Sequence, residues 1–408
     1  MSVHRSAPIE PASQVIAARP ERLLTGAQAA AEAMRQIDPD VVPVYPITPQ
    51  TPIIETFAQF TADGRVHTEL LLMESEHSAM SAAVASALAG GRAITATASQ
   101  GLAYMIEILY IAASLRAPVV VALGNRALSG PINIHADHSD AMLARDAGAI
   151  IMFAENAQEA YDLMLVGTRL AEHPAVMLPV LVGQDGFTIT HAAEPVQIVD
   201  DDAARAFVGP YSMPSPLLDT RHPITAGAFA MPDAYFEQRI AVALAAEGAL
   251  EHWTHLANRY RAVTDRDVSP LETYRLEGAQ WVWIAMGAAA GTMKDAIDRL
   301  RVRGIPVGLI KLRAFRPFPA ALIQRVLQPP QQLIVWERAV SPGSHPPLYS
   351  DVASRLETGL PPQSVVFGLG GRDLTVEMIV RAQENLFPTA GAADRIHYLG
   401  LHAKEGLS

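Results

Sequence analysis

ESEHSAMSAAVASALAGGRAITATASQGLAYMIEILYIAASLRAPVVVALGNRALSGPINIHADHSD (residues 74–140) decides the fold. Two strand-type runs, 93–98 and 119–123, alternate in it with two helical segments, 76–88 and 102–115, the first rich in Ala and Ser and closed by Gly90-Gly91. Strands that are apolar on both faces need cover on both faces, and helices placed between them make parallel crossovers. Three polar constellations interrupt the apolar runs: Glu74-Ser75-Glu76-His77, Thr97-Ala98-Ser99-Gln100-Gly101, and Gly124-Asn125-Arg126 running on to Asp137-His138-Ser139-Asp140. Each follows a strand, at the edge where open α/β sheets bind ligands.

The same alternation extends outward. Helices are predicted at 25–37, with Thr25 as N-cap, at 51–60 and at 157–171, and strands at 41–45, 69–73, 150–153 and 176–182. The sequence therefore predicts a doubly wound parallel α/β domain over 24–200. The rhythm is lost over 201–275, a connector with several prolines and a long helix at 233–263. It returns at 276–408 with strands at 280–286, 306–312, 332–336 and 364–368 and helices at 291–303, 320–327, 345–356 and 375–386, a second and smaller α/β domain. Residues 1–23 hold Pro, Ser, Arg and Glu without a continuous apolar run, so they read as an N-terminal arm and not as a secretory signal.

Composition excludes several classes of function. The chain has 408 residues, half of them hydrophobic, and a formal charge of −11, which is too apolar for disorder and offers no basic stripe for nucleic acid. No uninterrupted apolar run reaches membrane length, so a cytoplasmic location is expected. There is no cysteine. Disulfides, Cys-ligated iron–sulfur clusters and Cys-based zinc sites are thereby impossible on this chain.

Taken singly, the polar residues allow more than one reading. Glu76 opens a helix, where a carboxylate favours the N-terminus through the dipole; it also suits a single carboxylate held against a heteroaromatic nitrogen in the small-residue lining Ser78, Ala79, Ser81, Ala82 and Ala83. Arg126 ends a buried strand, and its planar fork suits either a bound carboxylate or an ion pair with Asp137 or Asp140. Thr48 is fixed in a turn between Pro46 and Pro49, and Ser99 reads equally as a helix N-cap. His135 and His138 lack the spacing of a zinc site. Gly368-Leu369-Gly370-Gly371-Arg372-Asp373 reads as a tight strand-to-helix turn, and neither a GxSxG elbow nor a Walker A loop is present.

In this order, YPITPQTP (45–52), ESEHSAMSAA (74–83), TATASQG (95–101), GNRALSGPINIHADHSD (124–140) and GLGGRD (368–373) resemble the alpha subunit of the 2-oxoacid:ferredoxin oxidoreductases, most of all the pyruvate type built from several chains. The likeness is strong over 24–200 and looser over 276–380. It implies that the first domain binds the aminopyrimidine half of thiamine diphosphate, with Tyr45, Pro46, Ile47, Glu76, Ser99 and Gln100 toward the cofactor and Glu76 on the pyrimidine N1′. Thr48, Arg126 and Asn125 would meet the substrate, Arg126 by its carboxylate. The second domain would be of the transketolase C-terminal type, mainly a scaffold. The implied reaction converts a 2-oxo acid, coenzyme A and an oxidised acceptor into acyl-CoA, CO₂ and reduced acceptor. Pyruvate is the default substrate. The alternatives are an aryl 2-oxo acid such as phenylglyoxylate, with NAD as final acceptor, and a non-catalytic scaffold subunit.

Two absences bear on the partners that the resemblance implies. The Gly-Asp-Gly run and later Asn that hold Mg²⁺ and diphosphate in thiamine enzymes are missing; the nearest strings are Ala62-Asp63-Gly64 and Gln184-Asp185-Gly186. Those contacts are expected from another chain. A chain without cysteine also leaves the [4Fe-4S] clusters to its partners. The expected assembly contains beta-, gamma- and delta-type subunits that also supply coenzyme A contacts, with ferredoxin or a flavin/NAD subunit as acceptor. This chain alone would be inactive.

Overall fold

The computed structural model describes residues 21–328, 331–387 and 396–402. Residues 1–20 of the expected arm lie outside the described residues. Residues 21–23, expected in the same arm, instead open strand β1 (Glu21–Thr25). There follow α1 (Gly26–Ile37), β2 (Val41–Val44), α2 (Thr51–Ala62), β3 (Glu69–Leu72), α3 (Glu76–Ala89), β4 (Ile94–Thr97), α4 (Ser99–Ser114), β5 (Val120–Asn125) and α5 (Ser139–Leu143). Then come β6 (Ile150–Phe153), α6 (Ala157–Ala171), β7 (Val180–Asp185), β8 (Ala193–Gln197), α7 (Asp201–Val208) and the long α8 (Pro232–Thr264). The rest is β9 (Leu271–Tyr274), β10 (Trp281–Met286), α9 (Ala289–Val302), β11 (Val307–Leu312), β12 (Ala314–Arg316), α10 (Ala320–Val326), β13 (Gln332–Glu337), α11 (Pro347–Arg355), β14 (Gln363–Phe367), α12 (Val376–Leu386) and β15 (Ile396–Leu399).

The chain is an α/β protein with two mainly parallel sheets. In the first, β4, β5, β7 and β6 pair in parallel. The parallel pair β2–β3 extends this sheet beyond β4 through one bridge, Val41 to Ala93. Its far edge is closed by β12, which leaves the second half of the chain and pairs antiparallel with β6. The second sheet has the order β15-β14-β13-β10-β11-β9, and only β9 runs antiparallel.

Local chemistry sets the element ends. Thr25 and Gln28 form a reciprocal capping box at α1. Gly90, in the left-handed region, ends α3. The strand expected at 176–182 begins only at Val180, because Met177 takes a left-handed φ of 43° and Val176 N–H turns back to the His173 carbonyl. In α8, the buried residues begin at Val242 and include Trp253, Leu256 and Tyr260; Tyr260 donates to Asp162 of α6 at 2.6 Å. No helix among the described residues is long and apolar enough to cross a membrane.

The two sheets share one apolar core: Leu123, Ile151 and Phe153 of the first belong to the same buried cluster as Ile284, Ile310 and Val335 of the second. A buried ionic latch sits beside it. Lys311 Nζ reaches Glu159 and Glu272 at 2.7 Å each, Arg313 Nη2 reaches the same two at 2.7 and 2.6 Å, and Lys294 reaches Glu155 at 2.9 Å. The carboxylates of Glu155, Glu159 and Glu272 lie close enough together to suit a cation, and these two lysines and Arg313 already occupy that role. Burial opposes ionisation of Glu272, but Lys311 and Lys294 outweigh it and hold the carboxyl at about 2.

Removing one cation leaves its buried carboxylate partners uncompensated. Lys311→Met is expected to lower stability by about 3–5 kcal/mol, read as an earlier midpoint in urea. Because Glu272 has a lowered value in the folded chain, its contribution is present above about 4.5 and is lost as pH falls toward about 2.

Candidate active site

The carboxyl ends of the neighbouring strands β2, β4 and β5, together with the start of α3, build one site. After β2 the chain turns through Tyr45, Pro46, Ile47, Thr48, Pro49 and Gln50. Gln50 is buried, and its amide donates to the carbonyls of Ala96 (2.9 Å) and Tyr45 (3.1 Å), which ties the turn to β4. Pro49 lies over Gly124 and Gly186; a Cβ at Gly186 would stand 2.9 Å from the proline ring and 2.5 Å from the Asn125 carbonyl. Glycine is required there by close approach. Tyr45, Pro46 and Thr48 are left exposed at the mouth.

Glu76 is the first residue of α3, but the N-cap is Ser75, whose hydroxyl accepts Ser78 N–H at 3.2 Å. Capping therefore does not account for Glu76. Its side chain is buried, with the residue 8% exposed, and it packs against Gly101, where a Cβ would stand 2.8 Å from Oε1. Thr97 Oγ1 lies against the same glycine, is buried and has no hydrogen-bond partner. Among the described residues Glu76 receives no hydrogen bond or ion pair. The carboxylate is largely enclosed, keeps a narrow access to solvent and has no donor from the chain, an arrangement that fits a ligand bringing its own N–H.

Asp140 ties the strand ends together. Its Oδ2 accepts the backbone N–H of Ser99 (3.0 Å) and of Arg126 (2.9 Å), and its Oδ1 accepts Asn125 Nδ2 (2.9 Å) and the N–H of Ala141 (2.7 Å). Full burial pushes this carboxyl up to about 6, against the pull of those four donors. Ser99 is not a cap: the N-cap is Ala98, and Ser99 takes a left-handed φ of 47° while its hydroxyl donates to the Ala127 carbonyl at 2.6 Å. A non-glycine residue in that region costs roughly 1–3 kcal/mol and clusters at functional sites. Asn125, expected at the substrate, is fully buried and turned inward as a strut for Asp140.

Arg126 makes no ion pair with either expected aspartate. Asp140 meets only its backbone, and Asp137 accepts Ser139 N–H at 2.6 Å. The guanidinium donates instead to the carbonyls of Thr48 (2.7 Å) and Asn133 (3.1 Å) and to Gln100 Oε1 (3.0 Å). Burial lowers its pKa, and the charge of Asp140 acts the other way. A cation held by neutral acceptors at a strand end is suited to an anionic ligand.

Asp185, in one of the two strings closest to a metal-and-diphosphate motif, has a different task. It accepts His138 Nε2 at 2.7 Å and Ala288 N–H at 2.9 Å and pairs with Arg338 at 3.3 Å. Burial works against its ionisation, yet Arg338 and His138 hold its carboxyl well below the usual range. Asp185 is thus a joint between the two halves. Three residues of the site carry roles that the sequence reading did not give them: Thr97 and Gly101, read only as parts of a polar string, and Asp140, read only as an ion-pair candidate for Arg126. All stand inside the conspicuous strings TATASQG and DHSD, and only their side-chain directions reveal their roles.

Comparison with known proteins bears on the chain as a whole. Residues 32–257 match the family model described as pyruvate flavodoxin/ferredoxin oxidoreductase, thiamine diphosphate-binding, and residues 279–379 match pyruvate:ferredoxin oxidoreductase core domain II. The pyruvate synthase subunit PorA of Thermotoga maritima is 49% identical over 381 residues, covering 93% of this chain and 97% of that one. The PorA subunit of Pyrococcus abyssi is 40% identical, covering 92% and 96%, and the ketoisovalerate oxidoreductase subunit VorA of Pyrococcus horikoshii is 36% identical, covering 90% and 93%. The solved 2-oxoglutarate:ferredoxin oxidoreductase from Magnetococcus marinus shares the fold with a TM-score of 0.72 at 20% identity, over 90% of this chain and 65% of that one.

The raised carboxyl of Asp140 has a definite sign. A folded value near 6 against an ordinary 3.8 means that its contribution to stability is present below 3.8 and is lost as pH rises through 6. The stability advantage of wild type over Asp140→Asn is therefore expected to fall by about 1 kcal/mol from pH 5 to pH 7.5, as measured by urea unfolding of both proteins. A flat or rising difference would contradict the assignment.

Proposed function

The chain belongs to the pyruvate:ferredoxin oxidoreductase family as an alpha-type subunit, and we propose that it supplies the pyrimidine-binding half of a thiamine diphosphate site shared with a partner chain. The observation that carries this reading is the buried Glu76 carboxylate, set against Gly101 without a donor of its own. Residues 24–200 form the pyrimidine-binding unit, 201–275 the connector and 276–408 the transketolase C-terminal-like unit.

When bound, thiamine diphosphate supplies an electron sink for decarboxylation of a 2-oxo acid. Glu76 would accept a hydrogen bond from the pyrimidine N1′ and hold the proton there. Tyr45, Pro46, Ile47 and Gln100 would line the ring, whereas Ser99, expected there too, is buried with its hydroxyl on the Ala127 carbonyl and would act only by placing Gln100. Arg126 takes the substrate carboxylate with the N–H groups left over from its neutral cage. Thr48 stands beside it, its carbonyl 2.7 Å from Arg126 Nη1, with the hydroxyl available to the 2-oxo group. Fixing the carboxylate before it leaves is an orienting contribution, expressed mainly in the substrate requirement.

Pyruvate is the favoured substrate, since several of the similar chains are pyruvate synthase subunits. Mg²⁺ and the diphosphate contacts belong to a partner, because this sequence has no Gly-Asp-Gly run, and the iron–sulfur clusters belong to partners, because it has no cysteine. Exposed Tyr45, Leu72, Tyr104, Ile132 and Ile134 lie on or near the segments of the site, an apolar surface fit to be covered by that chain. Coenzyme A contacts and transfer to ferredoxin complete the proposed assembly, which acts in the cytoplasm.

The test is 2-oxo acid-dependent, coenzyme A-dependent viologen reduction by the complex co-purified with this chain. The panel holds pyruvate, 2-oxoglutarate, a branched 2-oxo acid and phenylglyoxylate; pyruvate is expected to be turned over best. Glu76→Gln is expected to lower kcat at least ~100-fold, and Arg126→Ala to raise KM far more than it lowers kcat. Full activity of the Glu76→Gln complex would contradict the assignment of the pyrimidine partner. Best turnover of phenylglyoxylate would move the substrate to the aryl class.

A further inference from the structure

The loop that carries Arg126 is seated on the second half of the chain. Ala127 N–H donates to the His135 carbonyl at 3.1 Å, closing residues 127–135 into a loop. Inside it, the Asn133 carbonyl accepts Arg126 Nε, and the Asn133 side chain works in both directions. Its Oδ1 accepts His135 N–H at 2.7 Å, and its Nδ2 donates to the Gly370 carbonyl at 3.1 Å. Gly371 N–H donates to the Ala136 carbonyl at 2.8 Å.

The turn at 368–371 has the backbone needed for this contact. Gly368, Gly370 and Gly371 have φ of 63°, 62° and 79°, the left-handed region that favours glycine. The contact is also close: a Cβ at Gly370 would stand 2.6 Å from Asn133 Nδ2, and one at Gly371 would strike the His135 side chain. A second tie follows at once along the chain, where His138 N–H donates to the Arg338 carbonyl at 2.9 Å and His138 Nε2 bonds Asp185. Two residues later comes Asp140, which holds the Arg126 backbone.

We propose that the glycine turn at 368–371 and Asn133 are positioning residues for Arg126, so that the second α/β unit sets the geometry of the substrate-carboxylate grip. This rests on the reading of Arg126 as that grip. The guanidinium has three neutral acceptors, Thr48, Gln100 and Asn133. The first two come from strand ends of the first sheet, and only the third is adjustable from the second half. Asn133 thereby fixes the orientation of the fork about its long axis, on which bidentate recognition of a carboxylate depends. The glycine string, which reads as a plain turn in the sequence, is shaped by what it must approach.

The test uses the intact complex and two variants. Asn133→Asp keeps the acceptor for His135 N–H and replaces the donor to Gly370 with an oxygen; Gly371→Ala adds a methyl against His135. Both are expected to raise KM for the 2-oxo acid about fivefold or more, with kcat changed less than threefold and thiamine diphosphate affinity unchanged. Both should also speed amide hydrogen exchange of Ala127 and Gly371, and neither should raise KM further in an Arg126→Ala background. Unchanged KM in Asn133→Asp, with KM raised in Arg126→Ala, would overturn the positioning role and leave the Arg126 grip standing. Unchanged KM in Arg126→Ala itself would overturn the grip. If Gly371→Ala does not assemble, Asn133→Asp decides alone.

Discussion

One buried carboxylate, Asp140, holds the site in register. It accepts donors from the start of α4, the end of β5 and the start of α5, three segments that no backbone ladder joins at that level. Burying a lone carboxylate is expensive, and the two donors on each oxygen offset that cost only in part, which is why its carboxyl is raised to about 6. The strained backbone of Ser99 exists because its N–H must point at Asp140. The side chain of Asn125 is turned away from the mouth for the same reason. With those two fixed, Gln100 and Arg126 stand beside each other and close the cage around the guanidinium.

The same economy separates charges that are satisfied within the chain from charges that are not. Asp140, Asp185 and the Glu155–Glu159–Glu272 group are met by donors or cations of the chain and join its parts. Glu76 and Arg126 are not. The carboxylate has no donor among the described residues, and the guanidinium has only neutral acceptors. The two open charges lie against adjacent residues, Gln100 beside Arg126 and Gly101 beside Glu76, and they suit the N–H and the carboxylate of the proposed ligands. The shared core and the strand β12, donated across to the first sheet, make the second half a structural part of this arrangement and not an appendage.

Much of this is legible in the sequence because it is local. The Thr25 cap, the Gly90 stop and the long helix α8 are written within a few residues of where they act. Those helices lie where the sequence places them, whereas the sequence reading predicts neither the short α5 nor α7. Glu76, Thr48 and Arg126 stand out because strand ends concentrate polar residues, but only the family resemblance of the strings around them groups them as a set. The remainder depends on contacts distant along the chain. The β1–β8 pair and β12 are short, and their partners lie far away. The left-handed Ser99 is dictated by a residue 41 positions later. The aspartates near Arg126 suggest an ion pair by proximity alone, whereas Asp140 meets the backbone and leaves the charge free for a ligand. The GLGGRD string is visible as glycines, but the loop they approach is not.

The most direct test of the central claim is a structure of the assembled complex with thiamine diphosphate and a slow 2-oxo acid analogue bound. The account predicts the pyrimidine N1′ within hydrogen-bond distance of the Glu76 carboxylate, the diphosphate and its metal held by the neighbouring chain, and the analogue's carboxylate on Arg126. A pyrimidine ring bound elsewhere, with Glu76 still without a donor, would contradict it.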